Sequence, residues 1–243
     1  MQMKRSTWQL RVAATVLLAL PLLTSPAVTR ADNGRTTPSL SFFSSGHGAH
    51  ADWLATEDQP PGDTDNQAIR LLTTDEGYSG ILVHHVTGIP ALEFPDSSFW
   101  VKTPDYTGPT FGSPRLVVAF QNAAGVSDGY ADLRPLVHTP EWQEVSTPNW
   151  DVMNVLPSNP CFPFKYEQTW QQVQACFTAD VTQAVYMTSD PYNIYHLIDD
   201  LTVGGTTFSS ASDNGNGNND PAGPEATTDP SLLPSILFLP PPR

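Results

Sequence analysis

The sequence predicts an all-β protein: an antiparallel jelly-roll β-sandwich with one short helix. Three observations carry this. Runs of four to nine residues rich in Val, Ile, Thr and aromatics recur between clusters of Gly, Pro, Asp, Asn and Ser. Proline (24) and glycine (16) make up about a sixth of the 243 residues, which favours turns over long helices. No strand–helix alternation runs along the chain, so a doubly wound parallel sheet is not expected.

The elements follow in chain order. Lys4, Arg5 and Arg11 precede an apolar stretch at 12–23, with small residues after it. This is the layout of a secretory signal peptide, cleaved after Ala27 or Ala31. Twelve apolar residues interrupted by Pro21 fall short of the about 20 needed to cross a bilayer, so no transmembrane segment is expected. Residues 32–39 read as a flexible lead-in and 40–208 as one β-sandwich domain. Residues 209–243 read as a Ser/Asn/Gly/Pro-rich tail without the apolar content of a core over 209–229.

Within the domain, strands are expected at 68–74, 80–86, 99–102, 115–121, 132–137, 142–146, 181–188 and 195–203. The run RLVVAFQ at 115–121 is apolar on both faces, which places it centrally in a sheet. Thr169 and Gln172 form the T-x-x-Q pattern of a capping box. Trp170, Val173 and Phe177 then recur at helical spacing, so a short helix starts at 170.

Cys161 and Cys176 are the two cysteines. In an exported protein they are expected to form one disulfide, closing a loop worth about 3 kcal/mol. The helix lies inside that loop.

The chain holds 11 basic and 25 acidic residues, a net charge of −14. Cleavage after Ala31 would leave seven basic residues against all 25 acidic ones. Nucleic acid is excluded as a partner, because phosphate binding needs a basic footprint. Electrostatic docking on anionic lipid is disfavoured for the same reason. Self-repulsion favours a soluble monomer.

No G-x-S-x-G, H-E-x-x-H, P-loop or G-x-G-x-x-G pattern is present, so no residue is assigned a catalytic role. Glu93, Asp128, Asp132 and Glu144 are possible carboxylate partners, but nothing in the pattern singles out a pair. Arg115 and Arg134 sit at strand starts, placed to pair with acidic neighbours or to clamp a carboxylate or sugar hydroxyls. Flat rings in loops are the other candidates. Trp53, Tyr106, Tyr130, Trp150 and Tyr192 fall in or beside expected loops and are the ligand-binding candidates, whereas Trp100, Trp142, Trp170 and Tyr186 fall on expected strands or the helix as packing residues. His84 and His85 are adjacent on a strand and so point to opposite faces. His47, His50 and Asp52 cluster in a Gly-rich loop but lack a further zinc ligand of fixed geometry.

Asp63 and Asp65, spaced as Asp-x-Asp-x-Gln67 after Asp58, resemble the start of a cation loop. The glycine and terminal glutamate of an EF-hand are missing. The stretch YHLIDDLTVGG at 195–205 resembles the closing strand of secreted jelly-roll modules of the carbohydrate-binding and galactose-binding-like kind. That resemblance implies a β-sandwich, an extracellular glycan as partner, and one structural calcium held by Asp199 or Asp200. Three function classes follow: a secreted, non-catalytic protein binding carbohydrate or another extracellular surface; a polysaccharide-active hydrolase or lyase on the same fold; and a structural or adhesive surface protein with no small ligand.

Overall fold

The computed structural model describes residues 37–106, 108–109 and 114–208. The expected signal peptide and tail lie outside them. Fifteen strands, one α-helix and a 3-10 turn at Ala91–Glu93 follow in order among the described residues. β1 spans Ser39–Ser45, β2 His50–Ala55, β3 Gln67–Leu72, β4 Tyr78–His84 and β5 Ser98–Lys102. The short β6 is Gly108–Pro109, followed by β7 at Arg115–Gln121, β8 at Ser127–Leu133 and the short β9 at Val137–His138. β10 is Gln143–Val145, β11 Trp150–Met153, β12 Lys165–Gln168 and α1 Trp170–Cys176. β13 spans Val181–Ser189, β14 Tyr195–Val203 and β15 Thr206–Phe208.

Two antiparallel sheets form a sandwich. The larger runs β1-β4-β13-β7-β8-β11-β12, and the smaller β10-β5-β14-β3-β2, with β15 added to β14. The chain changes sheet between β3 and β4, between β5 and β7, and between β13 and β14, the alternation expected of a jelly roll. A third ribbon pairs β6 with β9.

The alternation of side chains sets the core. Leu116, Val118 and Phe120 of β7 and Val185 and Met187 of β13 face inward from the large sheet. Ile69 and Leu71 of β3, Phe99 and Val101 of β5 and Ile198 of β14 face them from the small one. β7 is the middle strand of its sheet, as its two-sided apolar pattern requires. Its other face, Val117 and Ala119, packs with Ala184 and Tyr186 in a second small cluster on the outside of the sheet. Gly80 lets Phe43 lie against β4: a Cβ there would sit 2.4 Å from the Phe43 ring and 2.2 Å from the Met187 carbonyl oxygen.

The helix starts where the capping pattern puts it. Gln172 N–H donates to Thr169 Oγ1, and Thr169 N–H donates to Gln172 Oε1. Trp170 and Val173 are buried, and Phe177, just past the last turn, stacks on Phe120 at 4.2 Å. Cys176 closes the helix and is bonded to Cys161.

Some expectations need correction. The strand expected at 132–137 is β8, shifted toward the N-terminus. β8 begins at Ser127 and crosses Gly129, where a side chain would strike Val155 at 2.6 Å. β2 and β11 occupy stretches read as loops. β2 is held in register by Asp52 opposite Arg70, whose guanidinium donates two hydrogen bonds to it, at 2.8 and 2.7 Å.

Candidate functional site

Two acidic segments, distant in sequence, meet where the turn before β3 approaches β14, the central strand of the small sheet. Asp63 and Asp65 lie in the turn before β3. Asp199 and Asp200 lie in β14, where the register against β5 shifts between Asp199 and Thr202. Asp200 sits at φ 46, and this bulge turns neighbouring side chains out of simple alternation. Oxygens of Asp63, Asp65 and Asp199 all come within 4.8 Å of one another. One oxygen of each is held by backbone N–H groups: Thr64 and Asp65 donate to Asp63 Oδ1, Gln67 to Asp65 Oδ1, and Asp200 to Asp199 Oδ1. The second oxygens of Asp63 and Asp199 are buried without a hydrogen-bond partner.

Asp199 is only 2% exposed. Burial pushes its carboxyl up to about 8; the N–H of Asp200 opposes this, and the charges of Asp63, Asp65 and Asp200 add to it. Asp200 is raised too, by burial and then by Asp63 and Asp65. Three convergent carboxylates, two with spare buried oxygens, fit a hard divalent cation such as calcium. Asp200, named with Asp199 from the sequence, is outside the close trio and serves through its backbone N–H.

At the end of the sandwich where β3 and β5 finish and β14 begins, a pocket of about 460 Å³ opens. Leu72, Thr103, Asp105, Tyr106, His138 and residues 192–195 line it. Its walls are fixed from behind. Thr73 N–H and Oγ1 both donate to the Ile194 carbonyl, tying the 192–194 turn to the end of β3. Thr103 N–H donates to the Thr139 carbonyl. Thr103 Oγ1 lies 3.0 Å from Nδ1 of the fully buried His196. The His138 ring packs edge-on to Tyr106 at 5.0 Å and lies 5.2 Å from His196. Burial, with His138 adding, holds the His196 imidazole well below its ordinary value, so it is neutral. The pocket thus presents three phenol rings, Tyr106, Tyr192 and Tyr195, beside a small set of hydrogen-bonding groups.

Two of the five aromatics singled out in the sequence, Tyr106 and Tyr192, line this pocket. The other three do not. Trp150 is 0% exposed; its Nε1 donates to Asp96 and its ring packs on Trp170 at 4.6 Å, so it is a core residue on β11. Trp53 is on β2, half-buried, edge-on to Phe42 at 6.0 Å. Tyr130 is half-buried on the outer face of the large sheet, packed on the Val117–Tyr186 cluster. Burial first, then Asp132, pushes its phenol up to about 12.

The arginines are paired. Arg115 donates to Asp190 at 3.1 Å and Arg134 to Asp151 at 2.8 and 3.0 Å. Asp132 lies between them, pushed up to about 7 by burial against the pull of Arg115. His50 contacts Asp52 at 3.3 Å, which Arg70 already occupies. His84 Nε2 lies 2.7 Å from Ser41 Oγ.

Thr103, Asp105, His138, Asn193 and Tyr195 escaped notice in the sequence because three separate segments bring them together. One signal was present: Pro104-Asp-Tyr and Pro191-Tyr-Asn each put a tyrosine on a turn beside a strand end.

No protein-family model and no curated protein matches the sequence. Solved structures do. The family 11 carbohydrate-binding module from Clostridium thermocellum, in complex with a beta-1,3-1,4-mixed-linked tetrasaccharide, is similar at 12% identity and a TM-score of 0.40, over 68% of this chain and 87% of that one. The family 30 carbohydrate-binding module of a cellulosomal cellulase of the same organism is similar at 12% identity and a TM-score of 0.38, over 70% and 93%. Among the described residues no helix is long and apolar enough to cross a membrane.

Proposed function

We propose that this chain is a secreted, non-catalytic β-sandwich that binds a glycan in the pocket between Tyr106, Tyr192 and Tyr195, with calcium at Asp63, Asp65 and Asp199 as a structural ion. The observation that carries it is the pocket's lining: three phenol rings beside Thr103, Asp105, Asn193 and His138. Sugar rings offer apolar C–H faces for stacking and hydroxyls for hydrogen bonds, and such a lining supplies both. A binding role is favoured over hydrolysis because the lining holds one carboxylate, Asp105, whereas glycoside cleavage ordinarily employs two. The basic and apolar leader at 4–23 supports export. The cation would join β14 to the turn before β3 and so brace the strand from which Tyr195 emerges.

A glycan array probed with the full chain, with calcium and with chelator, tests this. Binding of a defined set of glycans that Tyr192→Ala weakens by about tenfold or more is the expected result. An empty array, or binding indifferent to Tyr106→Ala and Tyr192→Ala, overturns it.

A further inference from the structure

The charge around the pocket is one-sided. Asp105 is exposed at the rim and is the one carboxylate among the lining residues, which include no Lys or Arg. The nearby cations are already matched. Arg70 is bound to both oxygens of Asp52, and Lys102 is paired with Asp58, which also accepts from Trp142 Nε1. The Tyr195 phenol is raised first by burial; Arg70 opposes, and Asp105, Asp52 and Asp58 add. His196 behind the pocket is neutral and supplies no compensating charge.

A uronate entering this site would bring a carboxylate toward Asp105 with no guanidinium or ammonium to receive it. A protonated amine would meet Asp105 beside three tyrosines, whose rings attract cations. We infer that the pocket selects amine-bearing glycans over neutral ones and rejects uronates, with Asp105 as the specificity-determining residue; this rests on the glycan-binding proposal above.

The test compares three oligosaccharides by calorimetry on the full chain at about pH 6: a β-1,4-linked glucosamine tetramer, its fully N-acetylated form and a galacturonate tetramer. The glucosamine tetramer should bind at least about fivefold more tightly than the acetylated one, the size of one solvent-exposed charge contact at 4 Å, and the galacturonate most weakly. The gap should narrow at high salt. Asp105→Asn should close it, and because Asp105 is exposed the variant should keep the wild-type melting midpoint. Equal or tighter binding of the acetylated tetramer overturns the inference, as does a gap that survives Asp105→Asn or no binding of the glucosamine tetramer. Those results leave glycan binding standing unless the array is also empty, in which case both fall.

Discussion

Asp63 and Asp199 bring carboxylate oxygens within 4.8 Å of each other from opposite ends of the described chain, each with a buried oxygen that nothing in the fold satisfies. Two carboxylates with buried, unpartnered oxygens oppose folding unless one keeps its proton or a cation joins them. Nothing local explains the arrangement: Asp63 comes from a turn and Asp199 from a bulged strand.

Calcium should therefore stabilise the fold. A site that binds the folded state alone contributes about 2.7 kcal/mol at a hundredfold excess over its Kd. For a domain of this size that is a rise in melting midpoint of about 5–10 °C over chelator-treated protein. Asp199→Asn should abolish the difference, and without metal it should melt no lower than wild type, since Asn is uncharged at every pH and keeps the Oδ1 that accepts from Asp200 N–H. Differential scanning calorimetry reads both.

The effect of pH has a definite sign. Asp199 is pushed up to about 8 in the fold, against 3.8 for a free carboxyl. Between those values the folded state holds a proton that the unfolded chain has released, so metal-free stability falls as pH rises through that window. Cation binding needs the ionised form, so the gain from calcium should be small near pH 5 and largest near pH 8. A calcium gain that is flat across this range would remove Asp199 from the site.

The Cys161–Cys176 bond closes a loop of 15 residues and holds α1 against the core beside Phe120 and Phe177. Replacing both cysteines with serine should cost about 3 kcal/mol. The melting midpoint should drop by about 6–12 °C, and limited proteolysis should cut first between residues 161 and 176.

Trp150 separates packing from binding. Trp150→Phe loses the hydrogen bond to Asp96 and part of the contact with Trp170, a cost of about 1–3 kcal/mol. Denaturant unfolding should show this loss, while the affinity for any bound glycan stays at the wild-type value. A fall in affinity with unchanged stability would place Trp150 at the ligand.

Local patterns were legible where local physics decides. The strands at 115–121 and 195–203 and the Thr169–Gln172 capping box stand in the structure where their apolar runs and hydrogen-bonding groups put them. β2 was not legible, because its Gly-His-rich approach reads as a loop and its place is set by pairing with β3 through Asp52 and Arg70. Trp150 was misread because nothing in Asn-Trp-Asp reveals that its ring meets Trp170. Both aspartate groups were visible, but their meeting was not, since it depends on β14 pairing with β3 and bulging at Asp199. The pocket was visible only as two turn tyrosines, its remaining walls being supplied by strand ends from elsewhere in the chain.

Chemical-shift mapping tests the central claim most directly. Titrating an array-identified glycan into isotope-labelled full chain should shift the amides of residues 103–106 and 192–196, and the tyrosine ring signals of Tyr106, Tyr192 and Tyr195. Shifts confined to the outer face of the large sheet, around Tyr130 and Tyr186, with residues 192–196 unmoved, would contradict it.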